Sequence, residues 1–360
     1  MNSKLIENKI QIVTTAMKSL KNEDDLDEKY PIGLIDINLW EWPQGVGIYG
    51  LYKYYRLNKD PETLNFLLNW FNKQIEDGLP EKNVNTMAPL LTLIHLVEET
   101  QNPTYVRICD EWSAWIMDDM IKTGDGALQH MITGDPNDGQ ILIDTLFMTV
   151  LFLAKAGLYF DRPEYVEEAK KQFLIHIKYL NDKKSGLFFH GWDFNYGHNY
   201  GEIKWGRGNG WYTCGLLEFI EIVDLEKGLK EYLLCTWYNQ VKSLSKLQAD
   251  SGLWHTILDD ASSYEETSAS AAIGYGILKG VRLGLLDKTH LQTGLNALEA
   301  VIEQIDENGI VQKVSYGTPV GIDADFYKEI PISPMTYGQA LTILFLIEAL
   351  EYYGSIDKIR

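Results

Sequence analysis

The sequence predicts an all-α protein, an (α/α)6 barrel of six helical hairpins with short β segments at one mouth. Three observations predict this fold: a dominant helical period, a short phrase that recurs about every sixty residues, and two helices that are apolar on nearly every side. Six two-helix units would fill the 360 residues, with the apolar helices in an inner ring. An open superhelix of the same units is the alternative.

The individual helices follow from the spacing of apolar residues. At 64–75 these residues fall on one face, and Asp161-Arg162-Pro163 begins another amphipathic helix, with Asp161 as its N-cap. Further helices are predicted at about 88–99, 145–157, 211–224, 267–283, 288–305 and 337–353. Those at 145–157 and 337–353 lack a polar face, so we expect them to be buried on all sides.

Between helices, a polar turn, a glycine and a few β-prone residues recur. The phrase reads GDGALQHMI at 124–132, KSGLFFHGW at 184–192, DSGLWHTIL at 250–258 and ENGIVQKVS at 307–315, and its glycines are spaced by 60, 66 and 57 residues. Each unit therefore holds two helices and a short extended loop. No linker divides the chain, so residues 1–360 are predicted to form a single domain.

Composition restricts the class of protein. The formal net charge of -19 argues against a nucleic-acid partner, since backbone binding needs clustered Lys and Arg. No stretch approaches the length of a transmembrane helix, and the N-terminus has no secretory h-region, so no membrane partner and a cytoplasmic location are predicted. Three cysteines form no disulfide framework. We expect a monomer or a weak homo-oligomer.

Two glycine-rich stretches imitate phosphate loops. GVGIYG at 45–50 lacks the preceding apolar strand of a dinucleotide site, so close packing at the start of an inner helix is the better interpretation. WGRGNGW at 205–211 also lacks a strand and the Gly-Lys-Ser/Thr of a nucleotide site. Arg207 in it either pairs with an acid in a structural turn or binds a carboxylate. The residues alone leave these two interpretations equal.

Asp144 in ILIDTLFM has apolar neighbours and two possible roles. It either caps the following helix or acts as a general acid whose pKa is raised by desolvation. His130, His190 and His255 occupy similar places in three repeated loops and would face one mouth if the ring closes. Hydrogen bonding to a polar ligand suits them better than metal binding, because no metal-ligand spacing is present. No metal or cofactor is predicted.

Several phrases together resemble one family, the unsaturated rhamnogalacturonyl hydrolases (glycoside hydrolase family 105), which are related to the unsaturated glucuronyl hydrolases. The phrases are WEWPQGVGIYGL, NVNTMAPLL, ILIDTLFM, WGRGNGW, YEETSASAAIGYG and YGQALTILFLIEAL, in family order over residues 40 to 350. The resemblance implies an (α/α)6 barrel that removes a 4,5-unsaturated uronic acid from the non-reducing end of lyase-generated oligosaccharides. It also implies a mechanism in which one Asp protonates the vinyl-ether double bond, water adds at C5, and the hemiketal opens.

The resemblance also implies roles for particular residues. Asp144 corresponds to the acid/base Asp. The substrate-binding residues that the resemblance implies are Trp42, Asn85, Met87, His130, His190, Trp205, Arg207 and Trp211. The glucuronyl relatives carry a second Asp in the region of NVNTM, where this chain has no acid, which favours the rhamnogalacturonyl branch and an unsaturated galacturonyl substrate.

Three alternatives stay open on the sequence. The protein could hydrolyse unsaturated glucuronyl residues of another polysaccharide. It could be a sugar 2-epimerase with the same barrel, in which His190 and His255 would be acid and base. It could also be a ring protein that binds an unsaturated oligosaccharide without consuming it.

Overall fold

A computed structural model of the chain describes residues 3–21 and 35–357. Within these ranges thirteen α-helices follow one another: α1 (Ser3–Met17), α2 (Trp42–Asn58), α3 (Pro61–Asp77), α4 (Val84–Thr100), α5 (Pro103–Asp118), α6 (Leu151–Tyr159), α7 (Pro163–Leu180), α8 (Gly206–Ile222), α9 (Lys227–Leu247), α10 (Thr267–Arg282), α11 (Leu291–Glu303), α12 (Ala324–Lys328) and α13 (Thr336–Asp357). A π-helical turn, Leu146–Val150, leads directly into α6, and a 3-10 turn, Lys288–His290, leads into α11.

Six of the described helices, α2, α4, α6, α8, α10 and α13, form an inner ring. Each packs against the next, and α13 packs back against α2, so the ring closes. Outside it, α3, α5, α7, α9 and α11 each pack on the inner helix that precedes or follows them, and α1 packs on α13. The predicted (α/α)6 barrel is confirmed and the open superhelix is wrong. The single-domain assignment covers residues outside the described ranges and stays a prediction.

Capping residues determine where several helices begin. Asp60 accepts hydrogen bonds from the backbone N–H groups of Glu62 and Thr63 at the start of α3. Asn83 and Thr86 form a capping box at the start of α4. This box begins α4 at Val84, four residues before the predicted start, so Asn85 is helical rather than in the preceding turn.

The glycines of the two false phosphate loops serve helix packing. A Cβ on Gly45 would lie 2.6 Å from the backbone nitrogen of Pro89, and one on Gly210 would lie 2.9 Å from Cβ of Ala272. Such distances are shorter than van der Waals contact, so the inner helices can approach this closely only without the side chain. GRGNG is therefore not a loop: α8 begins at Gly206, five residues before its predicted start.

Short β segments lie where the inner helices begin. Strands β1 (Gln140–Leu142) and β2 (Gly191–Asp193) pair antiparallel, with Ile141 opposite Trp192. Strands β3 (Trp254–His255) and β4 (Glu265–Glu266) form a second antiparallel pair. Because the inner helices run parallel, their N-termini gather at this mouth and their C-termini at the opposite one.

Candidate active site

A cavity of about 820 Å³ opens at the mouth formed by the inner-helix N-termini. This volume is typical of a site for a ligand of one or two sugar rings. Its floor and walls include three tryptophans, Trp40, Trp42 and Trp205, and apolar residues from the 318–322 loop. Indole faces suit the apolar faces of a pyranose ring, so the cavity has the chemistry of a carbohydrate site.

Asp144 lies at the base of this cavity, directly after β1 and before the π-helical turn. Its backbone carbonyl accepts hydrogen bonds from Phe147 and Met148, which begins the helix. Its Oδ2 atom, in contrast, is shielded from solvent and has no hydrogen-bond partner among the described residues. The side chain therefore does not cap the helix, and the carboxyl is available for chemistry.

His190 faces this carboxyl because β1 and β2 pair. The Ile143 N–H donates to the His190 carbonyl at 3.0 Å, which places the two side chains together. His190 Nε2 lies 3.5 Å from Asp144 Oδ2, longer than a hydrogen bond, and like Oδ2 it has no hydrogen-bond partner in the described part of the chain. The two atoms thus form a close Asp–His pair that is shielded from solvent, and Asp144 also lines the cavity.

The orientation of the His190 ring is determined by its surroundings. Its Nδ1 atom contacts Tyr327 Oη at 2.7 Å, and the ring lies against Trp205 with centroids 4.2 Å apart. Because Tyr327 Oη already accepts from the Gly321 N–H, its proton is free for Nδ1. We infer the tautomer that carries hydrogen on Nε2, pointing at Asp144.

His130 is a neutral member of the cavity wall. Its Nδ1 atom contacts Thr145 Oγ1 at 2.9 Å. Burial lowers its pKa to about 4, and nearby Asp144 only partly opposes this effect. At neutral pH the ring can donate or accept a hydrogen bond but carries no charge.

The pKa of Asp144 is lowered from its ordinary value, which contradicts the expectation of a raised pKa. Burial does raise it, as the apolar neighbours suggested, but the adjacent imidazole of His190 and the positive charge of Arg207 lower it further. These groups lie far from Asp144 along the chain, so the sequence around Asp144 could not reveal them. The carboxyl is ionised in the free protein at neutral pH.

Arg207 does not lie on the cavity wall, and this corrects the expectation that it forms part of the substrate wall. Its fully buried guanidinium is sandwiched between Trp205 and Tyr337, 4.5 and 4.7 Å from the ring centroids. It donates to Ser315 Oγ at 2.6 Å and to Thr318 Oγ1 at 3.0 Å. Glu266 lies 3.7 Å away, so the structure favours the paired, structural interpretation.

Trp211 and Met87 also lie behind the wall. Both are completely buried, and Trp211 packs its ring against Trp42 and Phe147. The sequence-predicted residues that line the cavity are Trp42, Asn85, His130, Asp144 and Trp205. His190 reaches the site through its contact with Asp144. His255 instead contacts the Ser263 carbonyl and does not line the cavity.

Sequence reasoning missed several polar residues of the wall, among them Glu41 and Tyr200. Glu41 lies between two tryptophans in WEW, an unusual setting for an acid that could have signalled it. Tyr200 adopts a left-handed backbone with φ of 56°, rare for a bulky residue, and its shielded hydroxyl has no hydrogen-bond partner among the described residues. Nothing in the local sequence indicates this conformation.

The charged groups of the described wall are all acidic. Glu41, Asp135 and Asp144 line the cavity, and no Lys or Arg side chain joins them among the residues that the structure describes. Within the described wall, attraction for an anion comes from the positive ends of the inner helices and from neutral donors. No group of His, Cys, Asp and Glu in the described ranges converges to hold a metal ion.

A closed helical barrel with an aromatic cavity and an Asp–His pair at its mouth is typical of a carbohydrate-active enzyme. Residues 12–353 match the family model described as Glycosyl Hydrolase Family 88, and the chain belongs to this family. It is therefore a glycosidase, and the predictions of enzyme class and family are confirmed.

The relatives extend over nearly the whole chain. An unsaturated rhamnogalacturonyl hydrolase, YesR of Bacillus subtilis (strain 168), is 32% identical over 315 residues, 87% of this chain and 90% of the relative. A possible GH105 member from Salmonella enterica serovar Paratyphi A has a solved structure that is 41% identical with a TM-score of 0.94, covering 98% of this chain and 95% of that one. The unsaturated glucuronyl hydrolase of Bacillus sp. GL1, at 16% identity and a TM-score of 0.75 over 97% of both chains, shares the fold.

None of the described helices has the length and apolar character needed to cross a bilayer. The predicted cytoplasmic location, the lack of a nucleic-acid partner and the monomeric or weakly oligomeric state stay predictions, as do the roles assigned to the individual site residues.

Proposed function

We propose that this protein hydrolyses the bond between a 4,5-unsaturated galacturonyl residue, at the non-reducing end, and the rest of a lyase-generated rhamnogalacturonan oligosaccharide. The observation that carries the proposal is the close pair of Asp144 and His190 at an aromatic cavity that Asp144 lines. The 32% identity with a rhamnogalacturonyl hydrolase over 90% of that protein supports the substrate class. The reaction would belong to the cytoplasmic breakdown of pectin fragments.

Asp144 is the proposed acid. Its carboxyl donates a proton to C4 of the C4=C5 double bond, which leaves positive charge shared between C5 and the ring oxygen. Water adds at C5 while the Asp144 carboxylate accepts one of its protons, which restores the acid. The resulting hemiketal opens, and the aglycone leaves from C1. One water is consumed, and no second carboxylate at ordinary glycosidase spacing is needed.

The lowered pKa of Asp144 requires an explanation of how this carboxyl obtains its proton. Arg207, one of the groups that lower its pKa, carries a positive charge, and the bound substrate carries a carboxylate. An anion in the cavity opposes that positive charge, and the sugar displaces water, so both effects raise the pKa of Asp144 in the complex. Binding therefore prepares the acid, and the free protein keeps Asp144 ionised.

The test is the loss of the ultraviolet absorbance of the conjugated double bond. The wild-type protein is incubated in parallel with unsaturated disaccharides from rhamnogalacturonan and from glycosaminoglycan. We expect the rhamnogalacturonan product to lose its absorbance faster. Faster loss from the glycosaminoglycan product would support the glucuronyl alternative, and turnover of saturated hexoses alone would support an epimerase.

A further inference from the structure

Glu41 is the wall residue whose chemistry the proposed reaction leaves unexplained. It directly precedes α2, yet its side chain does not cap that helix. The side chain instead lines the cavity, is partly buried, and hydrogen-bonds the Asn85 side chain at the start of α4. An acid is thus built into the aromatic wall, in the same cavity as Asp144.

The charge of the cavity makes this placement unfavourable for an ionised acid. A substrate carboxylate would enter a wall that offers no Lys or Arg among the described residues. An ionised Glu41 would add a second negative charge in the same low-dielectric space and weaken binding of the anion. A neutral carboxylic acid has the opposite effect, because its O–H donates a hydrogen bond to a carboxylate.

We propose that Glu41 binds the substrate in its protonated form and donates a hydrogen bond to an oxygen of the uronate carboxylate. The inference rests on the proposed function, because it assumes an anionic sugar in this cavity. The NVNTM phrase at 83–87 contains no acid, and Glu41 places a carboxyl next to Asn85 of that phrase.

The titration of Glu41 supports this geometry. Burial raises its pKa to about 7, against the lowering effects of the Asn85 side chain and the Trp42 backbone. The other titratable groups of the described wall are Asp135, Asp144, His130 and Tyr200, whereas Asn85 on α4 and the 318–322 loop carry no charge. His130, with its pKa of about 4, keeps the same charge across neutral pH.

The test measures binding without turnover. Calorimetric titration of the Asp144→Asn protein with unsaturated rhamnogalacturonan disaccharide is performed at pH 6.0 and 8.5. If only protonated Glu41 supports binding, the Kd rises about 30-fold between these values, as follows from the protonated fraction at a pKa of about 7. Near pH 8, titrations in buffers of different ionisation enthalpy should show uptake of a proton on binding.

The variant Glu41→Gln, made in the same background, keeps a hydrogen-bond donor and removes the titration. We expect its Kd to change less than about threefold between the two pH values, and at pH 8.5 to be lower than that of the parent. A purely structural residue would not give tighter binding on substitution. The control Asp135→Asn removes an exposed carboxylate from the same wall and should keep the 30-fold dependence.

The inference is overturned if Glu41→Gln keeps the parent's pH dependence, if it binds no tighter at pH 8.5, or if the disaccharide does not bind the Asp144→Asn protein at pH 6.0. Failure of the proposed function has a different signature, since the wild-type protein would then leave the double-bond absorbance of every unsaturated disaccharide intact.

Discussion

At the scale of single residues, the acidic groups of the cavity have different environments. Asp144 faces His190 and the field of Arg207, which hold its pKa low, whereas burial raises the pKa of Glu41 in a wall where no described Lys or Arg opposes it. A sequence shows that a carboxyl has apolar neighbours. It does not show which cations from other repeats lie close to that carboxyl. The sequence therefore predicted a raised pKa for Asp144, whereas the structure shows a raised pKa at Glu41.

Tyr200 provides a residue-scale prediction. Its shielded hydroxyl has no partner among the described residues, so we expect it to hydrogen-bond the substrate. Tyr200→Phe should lower kcat/KM by about 10- to 100-fold, the effect of one lost hydrogen bond in a closed site. The melting temperature should stay the same or rise, because an unsatisfied buried group is removed.

The control for this prediction is Tyr196→Phe, which alters a tyrosine that is 78% exposed in the same loop. It should leave steady-state kinetics unchanged. Unaltered kinetics in Tyr200→Phe, measured on the same substrate, would contradict a role for this hydroxyl in binding.

At the scale of elements, Arg207 connects α8 to the segment that forms one cavity wall. Its donors reach the side chains of Ser315 and Thr318 and the Tyr316 carbonyl, and residues 318–322 continue this segment along the cavity. Arg207 of the motif WGRGNGW thus affects substrate binding by holding the 318–322 loop in position. The sequence could identify Arg207 as important, but its partners are more than a hundred residues away.

Arg207→Lys should therefore lower stability as well as binding. A lysine ammonium cannot replace the fork that spans these three groups. We expect the free energy of unfolding to fall by about 3 kcal/mol, since buried partners of a charge are left unpaired, and KM to rise with it. Chemical denaturation and kinetics on the same preparation measure both.

The surface pair of Arg162 and Asp110 gives the matched control. Arg162→Lys should change the free energy of unfolding by less than about 1 kcal/mol. A raised KM in Arg207→Lys at unchanged stability would instead indicate that Arg207 contacts the substrate directly.

The packing of α8 against α10 gives a second element-scale prediction. Gly210→Ala places a methyl group 2.9 Å from Cβ of Ala272, so the helices must separate. We expect a loss of about 1–3 kcal/mol in the free energy of unfolding. Gly228→Ala in α9 meets nothing within 4 Å and should be neutral or stabilising by up to about 1 kcal/mol. Equal effects of the two substitutions in denaturation would contradict close packing at Gly210.

At the scale of the whole molecule, the closed ring of parallel helices gives the protein two different ends. The inner-helix N-termini meet at the active-site mouth, where their partial positive charges favour an anion. Their C-termini meet at the far end, around a cavity of about 390 Å³ in which Lys53, Lys279 and Arg282 pair with Glu218, Glu221 and Glu348. The mouth can therefore attract an anion although the net charge is -19 and no Lys or Arg lines the described wall.

The sixty-residue period predicted this architecture because every unit must bury the same apolar face. The sequence did not predict how the ring closes, because the sixth hairpin pairs α13 with α1 from the opposite end of the chain. In the site, Asp144, His130 and Trp205 were predictable from recurring loops and family phrases. Glu41 and Tyr200 were not, because their roles depend on the environment that several repeats create together.

The central claim is that Asp144 protonates C4 of an unsaturated uronic acid. The most direct test is turnover of unsaturated rhamnogalacturonan disaccharide in D₂O by the wild-type and Asp144→Asn proteins, with NMR analysis of the released acid. We expect deuterium at C4 of the wild-type product and no turnover by the variant, which should keep the wild-type melting temperature to within a few degrees. Release of the acid without deuterium at C4, or wild-type rates in Asp144→Asn, would contradict the claim.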